Sequence, residues 1–132
     1  MSRSRLALLL ILPLAFLLMA FHQLPLVNPP PIAVPQRAAP EQVYKVITTV
    51  LARFGWVVAS DKPGNIEATY APRDFTVRIG IGYDKSQVQI RYIDSTNLKY
   101  EVKKDGITYI HKNYTSWIKN LVNGINGEFN LL

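Results

Sequence analysis

The chain contains two stretches in which apolar residues recur every three or four positions, the spacing that is typical of an amphipathic helix. The first stretch follows Pro40 and stops at Gly55. Proline suits the first helical position, where an N–H would stay unpaired, and glycine suits the position after the last turn. The pattern therefore predicts a helix between these two residues. Its apolar positions are Val43, Val46, Ile47, Val50, Leu51 and Phe54.

The second stretch covers residues 107–125 and has the wider apolar stripe. Its apolar positions are Ile107, Ile110, Tyr114, Trp117, Ile118, Leu121, Val122 and Ile125. We expect this helix to close the hydrophobic core, because large aromatic and aliphatic residues at helical spacing are typical of packing positions. We expect its tail, residues 123–132, to fray because it contains two glycines. The predicted packing anchors are Tyr114, Trp117, Ile118 and Leu121.

Between these helices the hydrophobic period changes to two, which is typical of half-buried strands. Short turns join antiparallel neighbours, so the alternating segments predict a four-stranded meander. Residues 94–104 are polar and are expected to form an irregular connection. The four segments are residues 56–60, 65–71, 75–83 and 86–93.

The turns also predict the register of the meander. A two-residue loop at positions 84–85 would place Ile81 opposite Val88. A two-residue loop at positions 72–73 would place Ala68 opposite Val77. Both loops put the apolar pairs on one face, and a slip of one residue would destroy this agreement.

The other face of the predicted sheet carries charged residues. The register places Glu67, Arg78 and Arg91 in one row across three strands. Two arginines opposite each other repel, so Glu67 or an anion from outside is expected to compensate them. This row is either a solvated surface with one weak ion pair or a docking face. The candidate interaction surface is Glu67, Arg78, Gln89, Arg91, Asp94 and Asn97.

Both predicted helices and the predicted sheet have one apolar face each. The simplest arrangement packs both helices against the apolar face of the sheet. We therefore predict an α+β fold of residues 41–132. It is a two-layer sandwich in which N- and C-terminal helices cover a four-stranded antiparallel meander, in the order α-β-β-β-β-α.

The N-terminus has the pattern of an export signal. Arg3 and Arg5 precede an uncharged, mostly apolar run from Leu6 to Phe21. Basic residues stay on the cytoplasmic side while such a run enters the bilayer. If the apolar stretch extends to Val27, it approaches the length of a membrane span. Residues 1–27 are therefore either a cleaved signal peptide or an N-in transmembrane anchor, and both predict a periplasmic domain at the bacterial inner membrane.

Residues 28–40 are rich in proline, with five prolines in the sequence NPPPIAVPQRAAP. Proline fixes φ and removes an amide donor, which disfavours both helix and sheet. We expect a semi-rigid polyproline-II linker that holds the domain away from the membrane.

Charge and composition exclude several classes of function. The formal net charge is +6, but all nine acidic residues lie in the predicted domain, where charges of both signs are spread along the chain. This distribution lacks the clustered basic face of a nucleic-acid-binding protein, so no nucleic-acid partner is expected. The chain has no cysteine, which excludes disulfides, thiolate metal sites and cysteine lipidation.

The sequence gives little support for a catalytic or cofactor site. Asp94, Ser95 and His111 are the residue types of a hydrolytic set, but the spacing fixes no geometry and no Gly-x-Ser-x-Gly elbow is present. Gly80 and Gly82 lie inside a predicted strand, whereas a phosphate loop precedes a helix. His111 is a lone helical histidine, which is a poor metal-ligand candidate. We therefore predict no enzymatic activity, no cofactor and no metal.

Two C-terminal motifs resemble the signature of a family of small bacterial envelope proteins, many of them lipoproteins of uncharacterised activity. The first motif is S-x-N-L-x-Y at residues 95–100. The second is I-H-x-x-Y-x-x-W-I-x-x-L at residues 110–121. The resemblance covers the predicted domain and implies a location in the cell envelope. This chain departs from the family in having no lipidated cysteine, so a lipid anchor is not implied.

Two functions follow from these observations. The first is a non-enzymatic envelope domain that contacts an unidentified envelope protein through the candidate interaction surface and contacts the inner membrane through an uncleaved N-terminal segment. The alternative is a periplasmic domain that binds a small ligand in a pocket between the C-terminal helix and the sheet. That pocket would be lined by Tyr92, Tyr100, Tyr114 and Trp117.

Overall fold

The computed structural model describes residues 22–132, and these residues form an α+β fold with two helices and two antiparallel sheets. The helices are α1 (Pro40–Arg53) and α2 (Lys112–Asn130). The strands are β1 (Gln23–Pro25), β2 (Ile32–Ala33), β3 (Val57–Lys62), β4 (Asn65–Tyr70), β5 (Thr76–Tyr83), β6 (Gln87–Thr96), β7 (Glu101–Val102) and β8 (Thr108–His111). The predicted α+β class is confirmed. The predicted signal or transmembrane segment lies mostly outside the described residues.

The larger sheet has five strands in the order β2-β6-β5-β4-β3. Strands β3 to β6 follow one another along the chain and in space, as a meander does, and each pairs antiparallel with the next. The predicted meander is therefore present. It gains an edge strand, β2, which comes from the proline-rich segment.

Both predicted registers were wrong by two residues. Ile81 lies opposite Ile90 rather than Val88, and Ala68 lies opposite Ile79 rather than Val77. Each two-residue loop is displaced by one position. Two-residue slips keep every side chain on its predicted face, because the period of a strand is two.

The loops differ from their predicted positions because hydrogen bonds within each turn set the residue at which the turn begins. The Asp84 carboxylate accepts hydrogen bonds from the amides of Ser86 and Gln87, at 2.7 and 2.9 Å. This is the bonding of an Asx turn, and it makes Asp84 the last paired residue instead of the first loop residue. In the preceding turn, Arg73 adopts a left-handed φ of 55°, and the Phe75 amide donates to the Pro72 carbonyl oxygen at 3.1 Å.

The proline-rich segment packs on the domain, so the predicted spacer was wrong. Ile32 pairs with Val88, and the side chains of Ile32 and Val34 are buried in the core. The guanidinium group of Arg37 donates to the Phe129 and Leu132 carbonyl oxygens at the end of α2, at 3.0 and 2.9 Å. An edge strand and short apolar anchors tolerate neighbouring prolines because one side of the backbone needs no partner.

A smaller sheet with the order β1-β8-β7 was not predicted. Gln23 pairs with His111, and Glu101 pairs with Tyr109. We call this three-stranded sheet the small sheet. It shows that the folded unit includes residues 23–27, which the sequence assigned to the N-terminal segment.

The second helix begins five residues later than predicted and does not fray. Residues 108–111 form β8, and Ile107 is exposed in the turn before it. The helix continues to Asn130, and Phe129 is buried. The tail is stable because it packs on α1 and because Arg37 caps its last carbonyl groups.

One core joins the two helices to the inner face of the five-stranded sheet. The predicted anchors Tyr114, Ile118 and Leu121 are buried in it, whereas Trp117 is half-buried at its margin. The sheet side of the core is formed by Ile66, Ala68, Val77, Ile79, Ile81, Val88 and Ile90. Within residues 22–132, no helix has both the length and the apolar character that crossing a membrane requires.

Candidate interaction surface

The face of the five-stranded sheet that points away from the core is polar, and we call it the outer face. Strand pairing places Glu67 opposite Gly80, and Gly80 opposite Arg91. Further along the same strands, Thr69 lies opposite Arg78. Glu67, Thr69, Arg78 and Arg91 are half-buried, and Gly80 is buried. The outer face thus presents a row of charged groups with a glycine floor at its centre.

Arg78 and Asp94 form the strongest ion pair of the outer face. The displaced turn places Arg91 opposite Gly80, and a β-bulge between Arg78 and Ile79 then places Arg78 opposite Asp94. Its Nη2 and Nε donate to the two carboxylate oxygens at 2.6 and 3.3 Å. This hydrogen bonding and the charge of Asp94 raise the pKa of Arg78. Glu67 lies 3.8 Å from the same guanidinium group.

Arg91 lies across Gly80 on the neighbouring strand. A Cβ atom at position 80 would collide with the guanidinium group of Arg91. The Arg91 Nη2 donates to the Asn65 side-chain oxygen at 3.1 Å, which is the one side-chain hydrogen bond of this guanidinium group among the described residues. A guanidinium group has five N–H donors, so Arg91 retains donors for a further carboxylate.

The structure brings together four of the six residues predicted for this surface, namely Glu67, Arg78, Arg91 and Asp94. Gln89 instead donates to the Pro29 carbonyl oxygen at 3.0 Å and holds the N-terminal segment. Asn97 adopts a left-handed φ of 60° and donates to the Asp74 carbonyl oxygen at 2.8 Å. Asparagine tolerates this conformation, so its role here is to shape a turn.

A shallow cleft of about 340 Å³ opens at the Arg78 end of the outer face. Six of its seven lining residues carry a hydroxyl or charged group, and the hydroxyl groups of Thr76 and Thr96 contact each other. This pair of threonines was not predicted, because Thr96 lies in the segment that was expected to be irregular. The lining residues are Thr69, Thr76, Val77, Arg78, Asp94, Ser95 and Thr96.

The hydrolytic set considered from the sequence is not assembled. The hydroxyl groups of Ser95 and Tyr92 lie 2.6 Å apart, and Asp94 is held by Arg78. His111 is the N-cap of α2, where its Nδ1 accepts a hydrogen bond from the Asn113 amide at 3.0 Å. Each group therefore has a separate structural partner.

The environment of His111 favours its neutral form. Burial lowers its pKa, and the nearby charges of Lys99, His22 and Lys112 lower it further. A neutral ring is also what the cap requires, because protonated Nδ1 cannot accept the Asn113 hydrogen bond.

The aromatic residues predicted to line a ligand pocket pack against one another. The ring of Tyr92 stacks on Tyr100 at 5.3 Å and meets Tyr114 edge-on at 5.6 Å. Trp117 meets Tyr70 edge-on at 5.1 Å. These contacts occupy the space between α2 and the sheet with side chains.

An apolar groove lies elsewhere, between α2 and residues 25–30. Its volume is about 320 Å³, and Tyr114 is part of its lining. The Tyr114 hydroxyl is buried and has no hydrogen-bond partner among the described residues. Burial raises the pKa of this hydroxyl well above its usual range. The other lining residues are Pro25, Val27, Asn28, Pro29, Pro30, Thr115, Ile118, Lys119 and Val122.

The part of the chain that the structure describes contains no group of three or more His, Asp or Glu side chains that could hold a metal ion. Comparisons of the chain with protein-family models, with curated proteins and with solved structures found no match.

Proposed function

We propose that this protein is a non-enzymatic domain of the bacterial cell envelope, anchored in the inner membrane, which binds another envelope protein through its outer face. The observation that carries this proposal is the outer face itself, a charged surface on a five-stranded sheet whose two helices pack on the opposite side. A sheet face with fixed charges and a glycine floor is a preorganised contact surface.

The charges of the outer face indicate the chemistry of the partner. Asp94 and Glu67 both lie near Arg78 and compensate its charge within the protein. Arg91 has the neutral Asn65 as its side-chain hydrogen-bond partner. A carboxylate from outside would therefore gain most by binding Arg91, where it adds a missing charge partner. We propose a partner whose contact surface presents an acidic side chain to Arg91.

Reversal of the two arginines tests this surface. The double variant Arg78→Glu, Arg91→Glu should retain its fold, because both side chains are partly exposed, and should lose co-purification of the partner from detergent-solubilised membranes. The matched control is Lys45→Glu, Lys85→Glu, which makes the same charge change at two exposed positions away from Arg78 and Arg91. If the double arginine variant retains the partner at the wild-type level, the outer face is not the contact surface.

A second candidate function is the binding of a small apolar ligand in the groove beside α2. Its support is the volume and the apolar lining of this groove. This groove replaces the aromatic pocket expected from the sequence and shares only Tyr114 with it.

A blocking substitution tests the groove. Thr115→Trp would fill it, whereas Ser116→Trp adds the same bulk at the next position of α2, which is not part of the lining. Binding of a fluorescent fatty-acid probe should be lost in Thr115→Trp and retained in Ser116→Trp. Equal binding by both variants would contradict a ligand site in this groove.

A further inference from the structure

The chain enters the described part of the fold at the small sheet. The His22 carbonyl oxygen accepts a hydrogen bond from the Lys112 amide at 2.9 Å, and Gln23 pairs with His111. The Gln23 side chain donates to the Lys99 carbonyl oxygen at 2.7 Å and to Glu101 at 3.1 Å. No spacer separates the apolar N-terminal run from the fold, because that run ends at Phe21.

The small sheet has an exposed face that carries apolar and basic groups. Strand alternation puts Pro25, Glu101, Lys103 and Tyr109 on the side opposite the buried Ile110. The Lys103 ammonium group lies 4.3 Å from the centre of the Tyr109 ring. Tyrosine with an adjacent lysine is a common combination at the level of lipid headgroups.

The hairpin between β7 and β8 exposes three large apolar side chains. The exposed fraction is 64% for Val102, 49% for Tyr100 and 45% for Ile107. By strand alternation Ile107 lies on the side of Tyr109, whereas Val102 lies on the side of Ile110 and Tyr100 stacks on Tyr92. Apolar groups are therefore exposed on both sides of the hairpin, next to its turn.

Basic residues lie close to these exposed apolar groups. Lys99, Lys103, Lys104 and Lys112 lie in the hairpin or next to it, against the carboxylates of Glu101 and Asp105, so the segment has an excess of two positive charges. Glu101 lies 3.8 Å from Lys103 and offsets part of that charge. The remaining lysines favour an anionic surface, because each lysine near anionic lipid headgroups adds to the electrostatic attraction.

We infer that the small sheet lies directly on the surface of an anionic phospholipid bilayer, with its hairpin in the headgroup region. This inference rests on the proposed membrane anchor. The apolar run proposed as this anchor ends at Phe21, and His22 is the next residue of the chain. Strand β1 of the small sheet begins at Gln23, and the His22 carbonyl oxygen accepts a hydrogen bond from the Lys112 amide, so a membrane anchor that ends at Phe21 places the small sheet next to the membrane surface.

Fluorescent labels on single cysteines test this orientation, because the chain has no native cysteine. Lys104→Cys places a label in the hairpin turn. The matched control is Lys85→Cys, an exposed lysine in the turn at the other end of the ten-residue β6, roughly 30 Å along the strand. Each labelled full-length chain is reconstituted in vesicles of phosphatidylethanolamine and phosphatidylglycerol that contain a headgroup-linked nitroxide quencher.

The label at position 104 should be quenched several-fold more strongly than the label at position 85. Equal quenching of the two labels in chains that float with the vesicles would overturn the orientation while leaving the anchor intact. Failure of the full-length chain to float with the vesicles would overturn the anchor itself and, with it, the orientation. Flotation therefore distinguishes the two failures.

Charge reversal tests the lipid chemistry with a label at Ile107→Cys. Lys99→Glu with Lys103→Glu should reduce the quenching of this label several-fold, and the reversal Lys62→Glu with Lys85→Glu at the far turns should leave it unchanged. In vesicles of phosphatidylcholine alone, both reversals should have the same small effect. If the hairpin reversal leaves quenching unchanged in the anionic vesicles, the proposed role of the lysines is wrong.

Discussion

At the scale of single residues, His111 makes the stability of the fold depend on pH. Its Nδ1 accepts the first amide hydrogen bond of α2, and its surroundings lower its pKa below the usual 6.5. The folded state therefore binds a proton at this site less readily than the unfolded chain does. The resulting contribution to stability is fully present above pH 6.5, and it is lost as the pH falls below 6.5 and through the lowered pKa of the folded state.

His111→Asn should remove most of this pH dependence. Asparagine accepts the same capping hydrogen bond and does not titrate. The melting temperature of the wild-type chain should fall between about pH 7 and pH 5, where carboxylates are still mostly ionised, and the variant should change much less. His22→Asn replaces the other histidine, whose nearby charge also lowers the pKa of His111, so this variant should keep a weaker form of the wild-type pH dependence. A wild-type pH dependence in His111→Asn would show that this cap is not its source.

A second prediction concerns the buried hydroxyl of Tyr114. A buried polar group without a partner costs roughly 1–3 kcal/mol, so Tyr114→Phe should raise the free energy of unfolding by about 1 kcal/mol. The control is Tyr92→Phe, which removes a hydroxyl that contacts the Ser95 hydroxyl at 2.6 Å and should lower the free energy of unfolding. Urea unfolding measures both changes, and a loss of stability in Tyr114→Phe would show that its hydroxyl has a partner.

The sequence predicted which side chains lie on the outer face, but it did not predict how they pair. The hydrophobic alternation put Glu67, Arg78 and Arg91 on the correct face. It did not reveal that Arg78 pairs with Asp94, because this pairing depends on a β-bulge and on the displaced loop that begins after Asp84. Side-chain hydrogen bonds within turns and single-residue bulges leave no periodic signal.

At the scale of elements, the two helices pack most closely where α2 has a glycine. A Cβ atom at Gly124 would lie 2.7 Å from the Val50 Cγ1 atom and 3.2 Å from the Phe54 ring. Gly127, one turn further along α2, has nothing within 4 Å of such a Cβ atom. The first glycine therefore has a packing role, and the second has none that the structure shows.

Two alanine substitutions should separate these roles. Gly127→Ala should raise the free energy of unfolding by roughly 0.5–1 kcal/mol, because alanine loses less conformational freedom in a helix. Gly124→Ala should gain the same helix stability, but its methyl group forces the helices apart, which costs typically 1–3 kcal/mol. Its net effect should therefore be to lower the free energy of unfolding. Thermal unfolding of the two variants measures the difference. Equal effects would contradict close packing at Gly124.

Most of the regular elements were predictable, and the exceptions share one cause. Alternation and helical spacing identified α1, most of α2 and the four meander strands, since each of these elements is long enough to show its period. The short strands β1, β2, β7 and β8 have two to four residues, which is too few to show a period. Ile32 and Val34 therefore looked like part of a spacer, although both are buried.

At the scale of the whole molecule, the proposals assign different surfaces to different contacts. The small sheet, where the chain enters the fold, is proposed to contact lipid. The outer face of the five-stranded sheet is proposed to contact a partner protein. Each face is built from strands that the other lacks, so variants of one face should not alter the contact made by the other.

The central claim is that the outer face is the partner-binding surface, and site-specific photocross-linking in intact cells tests it most directly. A photoreactive residue at Thr69 on the outer face should give one discrete adduct with an envelope protein, and the adduct should disappear when Arg78→Glu and Arg91→Glu are added. The same residue at Thr49, on the exposed side of α1, should give no such adduct. An adduct from Thr69 that persists after both arginine reversals, or an equal adduct from Thr49, would contradict the claim.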